Sequence, residues 1–243
     1  MQTRTPMGMN RTGTTVSPLG ARAMQQIAEQ AAETMSDDSL ATLRGVAFDE
    51  ADGVGSVPLP AGVKGVAKSA AAALKGKAPE YLIDKLGERL AFERSGARLY
   101  EALITKCEHD PECAAAVIAE LHHIHDEELA HFGLLKRAME SLGADPTAQT
   151  PCADVSAVMS SGIVQVVTDP RTTLAQSLEA ILVAELADNA SWEMLLQLVR
   201  DAGHDDLVAG FEQALQQEQE HLAKIKPLLQ QSAATQMRAR KRK

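Results

Sequence analysis

Four stretches of the chain repeat apolar residues at steps of three and four, the spacing that lines one face of an α-helix. The first, predicted from Pro79 to near Lys106, runs Leu86, Leu90, Glu93, Ala97, Tyr100, Ile104. The second, from Pro111 to about Leu142, runs Val117, Leu121, Ile124, Glu128, His131, Leu135. The third, from just after Asp169-Pro170 to near Asp201, runs Leu174, Leu178, Ile181, Glu185, Asp188, Trp192, Leu195, Val199. The fourth, from about Asp205 to Leu229, runs Leu207, Phe211, Ala214, Glu218, His221, Ile225, Leu228. In each stretch the rhythm passes straight through acidic residues, at places where a soluble bundle would put Leu. Glu128/His131 and Glu218/His221 are Glu-x-x-His pairs, and Glu93 and Glu185 stand alone. Burying so many ionisable groups is very costly unless something pairs with them. A pair of divalent metal ions between four helices is the simplest partner.

The chain contains its own control. Glu120 and His123 also form Glu-x-x-His but lie off the stripe, and with His122 and His125 they read as a solvated flank. Glu88, Asp126, Glu127, Glu179 and Glu220 miss the stripes too and read as a charged outer face. There is also an internal repeat. Glu93 precedes Glu128 by 35 residues and Glu185 precedes Glu218 by 33, while Tyr100 and Trp192 each lie seven residues after the lone glutamate of their half. Two such helical hairpins facing each other would form a pseudo-twofold bundle with a symmetric site at its centre.

The connections set the topology. The links within each hairpin are short, so each pair is antiparallel. The link between hairpins, from about Ala144 to Asp169, is long enough at about 3.3 Å per extended residue to run the length of a bundle. Within it DVSAVMSSGIVQVV adds a short helix or a strand-like cover. The predicted fold is therefore all-α: an antiparallel four-helix bundle over residues 80–231, with one long crossover in the middle, the ferritin-like arrangement. Asp110 is the expected N-cap of the second helix, Gly143 and Gly203 stop the second and third, and Pro227 breaks the last turn of the fourth.

Residues 1–79 read as a flexible, partly helical arm and linker. A short amphipathic helix is expected from Ser17-Pro18 to about Met35, then an acidic stretch, then the Gly/Pro linker VGSVPLPAG. The following AGVKGVAKSAAAALKGK reads as a solvated linker, or as a weak helix that touches a partner protein or anionic surface. Residues 232–243, ending MRARKRK, read as a basic disordered tail.

Composition narrows the classes. Aromatics at 3% and apolar residues at 45%, rich in Ala and Leu, suit packed helices better than a sheet. A net charge of −9 argues against nucleic acid as the main partner. No uncharged apolar run of about 18 residues predicts a membrane span. The N-terminal segment has no apolar signal core, and Cys107, Cys113 and Cys152 form no C-x-x-C. A cytoplasmic location is the expectation. Whether Cys107 and Cys113 pair stays open at this stage.

Iron and manganese accept both carboxylate and imidazole. Residues at i and i+3 share a helix face, so one Glu-x-x-His can direct an oxygen and a nitrogen to one centre. Glu128 and Glu218 are the natural bridges between two ions, Glu93 and Glu185 terminal ligands, and His131 and His221 the terminal nitrogens. Asp188 follows Glu185 by three residues, where the first half has Gly96. It is expected to ligate, to hydrogen-bond a histidine, or to line the cavity. Tyr100 and Trp192 read first as packing, with the Tyr100 hydroxyl placed to bond a ligand carboxylate.

With this pattern in place, residues 80–231 resemble the ferritin-like di-iron carboxylate proteins, nearest the rubrerythrin branch. Glu128-Leu129-Ala130-His131 and Glu218-Gln219-Glu220-His221 match that family's paired motifs, Glu93 and Glu185 its lone glutamates, and Tyr100 a tyrosine two turns after the first ligand. Asp188 stands where rubrerythrins carry an additional glutamate, and the C-x-x-C rubredoxin module usual in them is missing. The resemblance implies two iron ions, with manganese as the alternative, in an oxidoreductase that reduces hydrogen peroxide or O2 with electrons from a separate donor. Two other readings stay open. One is a ferroxidase loading an iron store, which needs a large closed oligomer or packaging inside another shell; a homodimer or larger oligomer is the expected assembly. The other is a non-catalytic scaffold stabilised by metal.

Overall fold

In a computed structural model the chain is described at residues 17–34, 37–58, 60, 62 and 79–239. It divides into two units, one within Pro6–Gly53 and one that takes in Val54–Lys243. The smaller holds α1 (Pro18–Thr34) and α2 (Asp37–Glu50). α1 begins where expected: Ser17 Oγ accepts the Gly20 N–H at 3.3 Å, and Pro18 sits at the first helical position, where its missing N–H is harmless. α2 was not anticipated. Its Leu40, Leu43 and Val46 recur at steps of three with Phe48 off that face, and all four are exposed. The Lys-containing segment 63–77 lies outside the described residues.

The larger unit holds α3 (Pro79–Glu108), α4 (Ala115–Leu142), α5 (Pro151–Thr168), α6 (Leu174–Ala202) and α7 (Asp205–Ala239). α3 packs on α4 and α6 on α7 as two antiparallel hairpins, α3 lies against α6, and the crossover helix α5 covers both α3 and α6. Of the two forms left open for the crossover, the helix is the one present. No strand occurs among the described residues. Gly143 (φ 86°) and Gly203 (φ 74°) end α4 and α6 in the left-handed conformation, which glycine adopts without a Cβ penalty. Each cap closes with paired backbone bonds. Ala144 N–H reaches Met139 at 2.9 Å, and His204 N–H reaches Val199 at 3.1 Å.

The second bundle helix starts later than expected and the third starts, as expected, beyond its Asp-Pro, both for one reason. In Asp110-Pro111 and Asp169-Pro170 the aspartate carboxylate accepts the N–H two residues on, at 2.9 Å from Glu112 and 2.8 Å from Arg171. Such Asx turns use up the side chain that a helix cap would need. α4 therefore starts at Ala115 behind Ala114, which gives no side-chain cap. α6 starts at Leu174 behind a Thr173–Gln176 capping box. Pro227 does not end α7. Leu228 and Leu229 beyond it pack on the core, and the helix runs to Ala239, through most of the segment read as a disordered tail.

The interior is layered along the bundle axis. One apolar cluster joins Leu82–Leu90 of α3 to Leu135–Met139 of α4, Trp192–Val199 of α6, and Phe211 and Ala214 of α7. The other joins Leu99–Cys107 of α3 to Leu121 and Ile124 of α4, Leu178–Ala184 of α6, and Ile225 of α7. On each bundle helix the acidic stripe positions fall between these clusters. A charged layer thus lies sealed between two apolar ones.

Candidate metal centre

Glu93, Glu128, His131, Glu185, Asp188, Glu218 and His221 all lie in that layer, none more than 3% exposed. Their ligand atoms form overlapping groups within 4.8 Å: Glu93, His131 and Glu218; Glu128, Glu185 and His221; and Glu93, Glu128, Asp188 and Glu218. The first two groups are two candidate metal positions. Each has one lone glutamate, one histidine and one glutamate of a Glu-x-x-His pair, and in both that last glutamate comes from the hairpin opposite to the other two members. His131 Nδ1 is 2.8 Å from Glu218 Oε1 and 3.7 Å from Glu93 Oε2. His221 Nδ1 is 3.3 Å from Glu218 Oε2, 3.6 Å from Glu128 Oε1 and 3.9 Å from Glu185 Oε2.

Supporting hydrogen bonds hold the far side of these groups. The Tyr100 hydroxyl donates to Glu185 Oε1, and the Trp192 indole N–H donates to Glu93 Oε1 at 2.9 Å. Each aromatic thus braces the lone glutamate of the opposite hairpin, and Trp192 bonds as well as packs. Both histidines turn Nε2 outward, His131 to Gln217 Oε1 at 3.0 Å and His221 to Glu127 Oε2 at 2.9 Å. Gln217 Nε2 donates to Glu127 Oε1 at 2.5 Å, which joins the two into one network. Because the Glu127 carboxylate can only accept, Gln217 must offer it the amide N–H and keep its oxygen for His131. Both imidazoles then carry a proton on Nε2 whatever the state of Nδ1, which faces inward.

Three of these supporters were not singled out from the sequence. Glu127, expected on the outer face, turns inward enough to hold His221. Gln217 and Arg89 were not considered. Arg89 is buried, donates to Glu93 Oε1 at 2.9 Å, and forms an ion pair with Asp188 Oδ1. Asp188 therefore meets a guanidinium, and not a histidine. Arg89 precedes Glu93 by four residues, so an i,i+4 ion pair was the available signal. Gly96 also has a purpose: a Cβ there would overlap Glu128 Oε2. Of the other off-stripe residues His122, His123, Asp126, Glu179 and Glu220 are exposed, whereas His125, Glu88 and Glu120 are half-buried, Glu88 paired with Lys85 at 2.6 Å and Glu120 with Lys224 at 2.5 Å. Cys107, Cys113 and Cys152 are free thiols.

Protonation follows from the crowding. Burial, then the neighbouring Glu218, Glu93, Asp188 and Glu185, hold Glu128 well above the usual carboxyl range. Burial and Glu218 push Glu185 up to about 8, and burial also raises Asp188 although Arg89 opposes it. For Glu218 burial is outweighed by the His131 and His221 contacts, which bring it down to about 2. Burial would depress His131, but Glu218 and Glu93 hold it up at about 11. Burial and Glu185 keep the Tyr100 hydroxyl protonated, so it stays a donor.

Two observations show that this donor set fits metal ions. Glu93 Oε2, Glu128 Oε2, Glu185 Oε2, both Glu218 oxygens, and Nδ1 of His131 and His221 are buried without a hydrogen-bond partner. Native interiors rarely leave such atoms orphaned. The charge also matches: with all five carboxylates ionised, as they would be around metal, the Arg89 guanidinium leaves four negative charges, which two divalent cations would balance.

No family model and no curated protein matches the chain. A comparison of folds finds similarity to a ferritin-like, diiron-carboxylate protein from Bacillus anthracis str. Ames. The TM-score is 0.50 and the identity 19%, over 61% of this chain and 95% of that one. That likeness, with two hairpins joined by a covered crossover, establishes the fold of the larger unit as the ferritin-like all-α bundle.

Proposed function

We propose that this chain is a di-iron oxidoreductase, with manganese as the alternative metal, that reduces hydrogen peroxide or O2 with electrons from a separate donor. The observation that carries the reading is the set of orphaned oxygens and nitrogens facing one another between the apolar layers. Glu93, His131 and Glu218 would hold one ion and Glu128, Glu185 and His221 the other, with Glu128 and Glu218 close enough to both to bridge. A bound redox metal supplies the electron transfer; a set of oxygen and imidazole donors suits iron and manganese. The chain's own residues fix the rest. Tyr100 and Trp192 hold Glu185 and Glu93 in place, Glu127 and Gln217 set the imidazole tautomers, and the apolar layers exclude bulk water. A site this enclosed suits an oxidant of two heavy atoms. The Bacillus anthracis protein is described as diiron-carboxylate, which agrees with the reading.

The test begins with elemental analysis of protein produced with both iron and manganese available. About two ions per chain are expected, and substitution of Glu128 and Glu218 by Ala should abolish both. The reduced, loaded protein should then reoxidise rapidly on mixing with peroxide, faster than with O2. Equal inertness to both oxidants would sink the oxidoreductase reading. Uptake of iron well beyond two ions per chain would favour the storage alternative.

A further inference from the structure

The two metal positions are unequal, and two independent observations rank them the same way. The first lies on the histidines. His221 Nε2 rests on the Glu127 carboxylate at 2.9 Å, whereas His131 Nε2 rests on the neutral Gln217 amide at 3.0 Å. A carboxylate on the far nitrogen makes an imidazole more basic and a stronger ligand than an amide does. The second lies on the lone glutamates. Glu93 Oε1 accepts from both Arg89 and Trp192, each at 2.9 Å, and the guanidinium is a fixed buried charge. Glu185 Oε1 accepts from the uncharged Tyr100 hydroxyl, and no Lys or Arg pairs with it among the described residues. The position in α6 that matches Arg89 is Ile181, so no cation balances it on that side. Arg89 is itself paired with Asp188, so its effect is local: Glu93 Oε1 already shares its charge with two donors, which leaves this carboxylate a weaker ligand for a cation than Glu185.

We infer that the position made by Glu128, Glu185 and His221 fills first and holds its ion more tightly than the position made by Glu93, His131 and Glu218. Glu127 and Arg89 are the positioning residues that set the order. This rests on the dinuclear reading above, and adds which half binds first and what decides it.

The test is titration of the metal-free full-length protein with Co2+ alone, followed by visible absorption and by calorimetry. Two phases of one ion each are expected, the first at least about tenfold tighter, the lower end of what outer partners of a ligand histidine contribute. Glu127→Gln should weaken the first phase by about tenfold and spare the second. Gln217→Glu should tighten the second. Both exchanges keep side-chain shape at half-buried positions, so folding should survive. His221→Ala should abolish the tight phase and His131→Ala should retain it. Two ions entering in one unresolved phase, or a tight phase lost in His131→Ala and kept in His221→Ala, would overturn the ranking while leaving the dinuclear site standing. No Co2+ uptake by folded wild-type protein would overturn the dinuclear reading itself.

Discussion

Set side by side, the α3–α4 and α6–α7 hairpins agree at the ligands and differ at nearly every residue around them. Glu93 answers Glu185, Glu128 answers Glu218, and His131 answers His221. Around them Arg89 answers Ile181, Gly96 answers Asp188, Tyr100 answers Trp192, and Glu127 answers Gln217. The differences are not independent. The extra cation of one hairpin meets the extra anion of the other in the Arg89–Asp188 pair. The Gln217 amide meets the Glu127 carboxylate. Tyr100 and Trp192 each reach across to brace the other half's glutamate. The duplicated frame repeats the candidate ligands, whereas the supports complement one another across the seam. A change on one side is therefore tolerated if the other side answers it.

The largest effect expected is that of the ions on stability, because both hairpins meet at them. At a thousandfold excess over Kd, each ion adds about 4 kcal/mol. Its pH dependence has a definite sign. Burial lifts Glu185 from the ordinary 4.5 to about 8, so the folded metal-free protein keeps a proton that the unfolded chain releases. That contribution is complete below about pH 4.5 and is lost as pH rises toward about 8. His131, raised from 6.5 to about 11, is lost in the same direction at higher pH. Glu218, lowered to about 2, runs the other way, and its contribution disappears as pH falls from 4.5 toward 2. Between about pH 5 and about pH 8 the melting temperature of stripped protein should therefore fall. Loaded protein, in which ions replace the protons, should resist the fall. A gap between the two curves that narrows over this range contradicts the picture of protons and metal competing for one site.

Next in size is the seam between the extra charges. Asp188→Ala leaves Arg89 buried with one anionic partner fewer, a loss of about 3–5 kcal/mol where a buried pair is broken from one side. Arg89→Leu combined with Asp188→Ala should cost clearly less than the sum of the single changes, as read by denaturant unfolding of stripped protein. Additive losses would mean that the two residues are not coupled, and that Asp188 has another partner.

The candidate ligands were legible in the sequence and their supports were not, for a geometric reason. A residue on the apolar stripe is known to face inward whatever the neighbouring helix does, so Glu93, Glu128, His131, Glu185, Glu218 and His221 were legible one helix at a time. Glu127 and Gln217 stand one position before the paired glutamates, about 100° round the helix. There the surroundings depend on where the next helix sits. Position alone made Glu127 look solvated, but α4 and α7 approach along that side and enclose it. The repeat contained a hint, since Glu127 and Gln217 match in register. Helix starts were less legible than helix faces. Asp110-Pro111 promised a cap, but the aspartate closed a turn of its own, as Asp169 also does.

The smallest effect tests the reciprocal bracing directly. Tyr100→Phe removes one hydroxyl and almost no volume, so the loss should be about 1 kcal/mol, that of a net hydrogen bond. Trp192→Phe removes the indole N–H and part of a ring that packs edge-on against Phe211 at 5.3 Å and His131 at 5.6 Å, so it should cost somewhat more. Size alone does not distinguish bracing from packing, but location does. If each aromatic holds the opposite glutamate, Tyr100→Phe should weaken the metal position that contains Glu185, though Tyr100 belongs to the Glu93 hairpin. Trp192→Phe should weaken the position that contains Glu93. In a Co2+ titration the two variants would then perturb different phases, Tyr100→Phe the tight one and Trp192→Phe the weaker one. If both perturb the same phase, the aromatics act as filler for the bundle, and the cross-seam complementarity reduces to the charged pair and the Glu127–Gln217 contact.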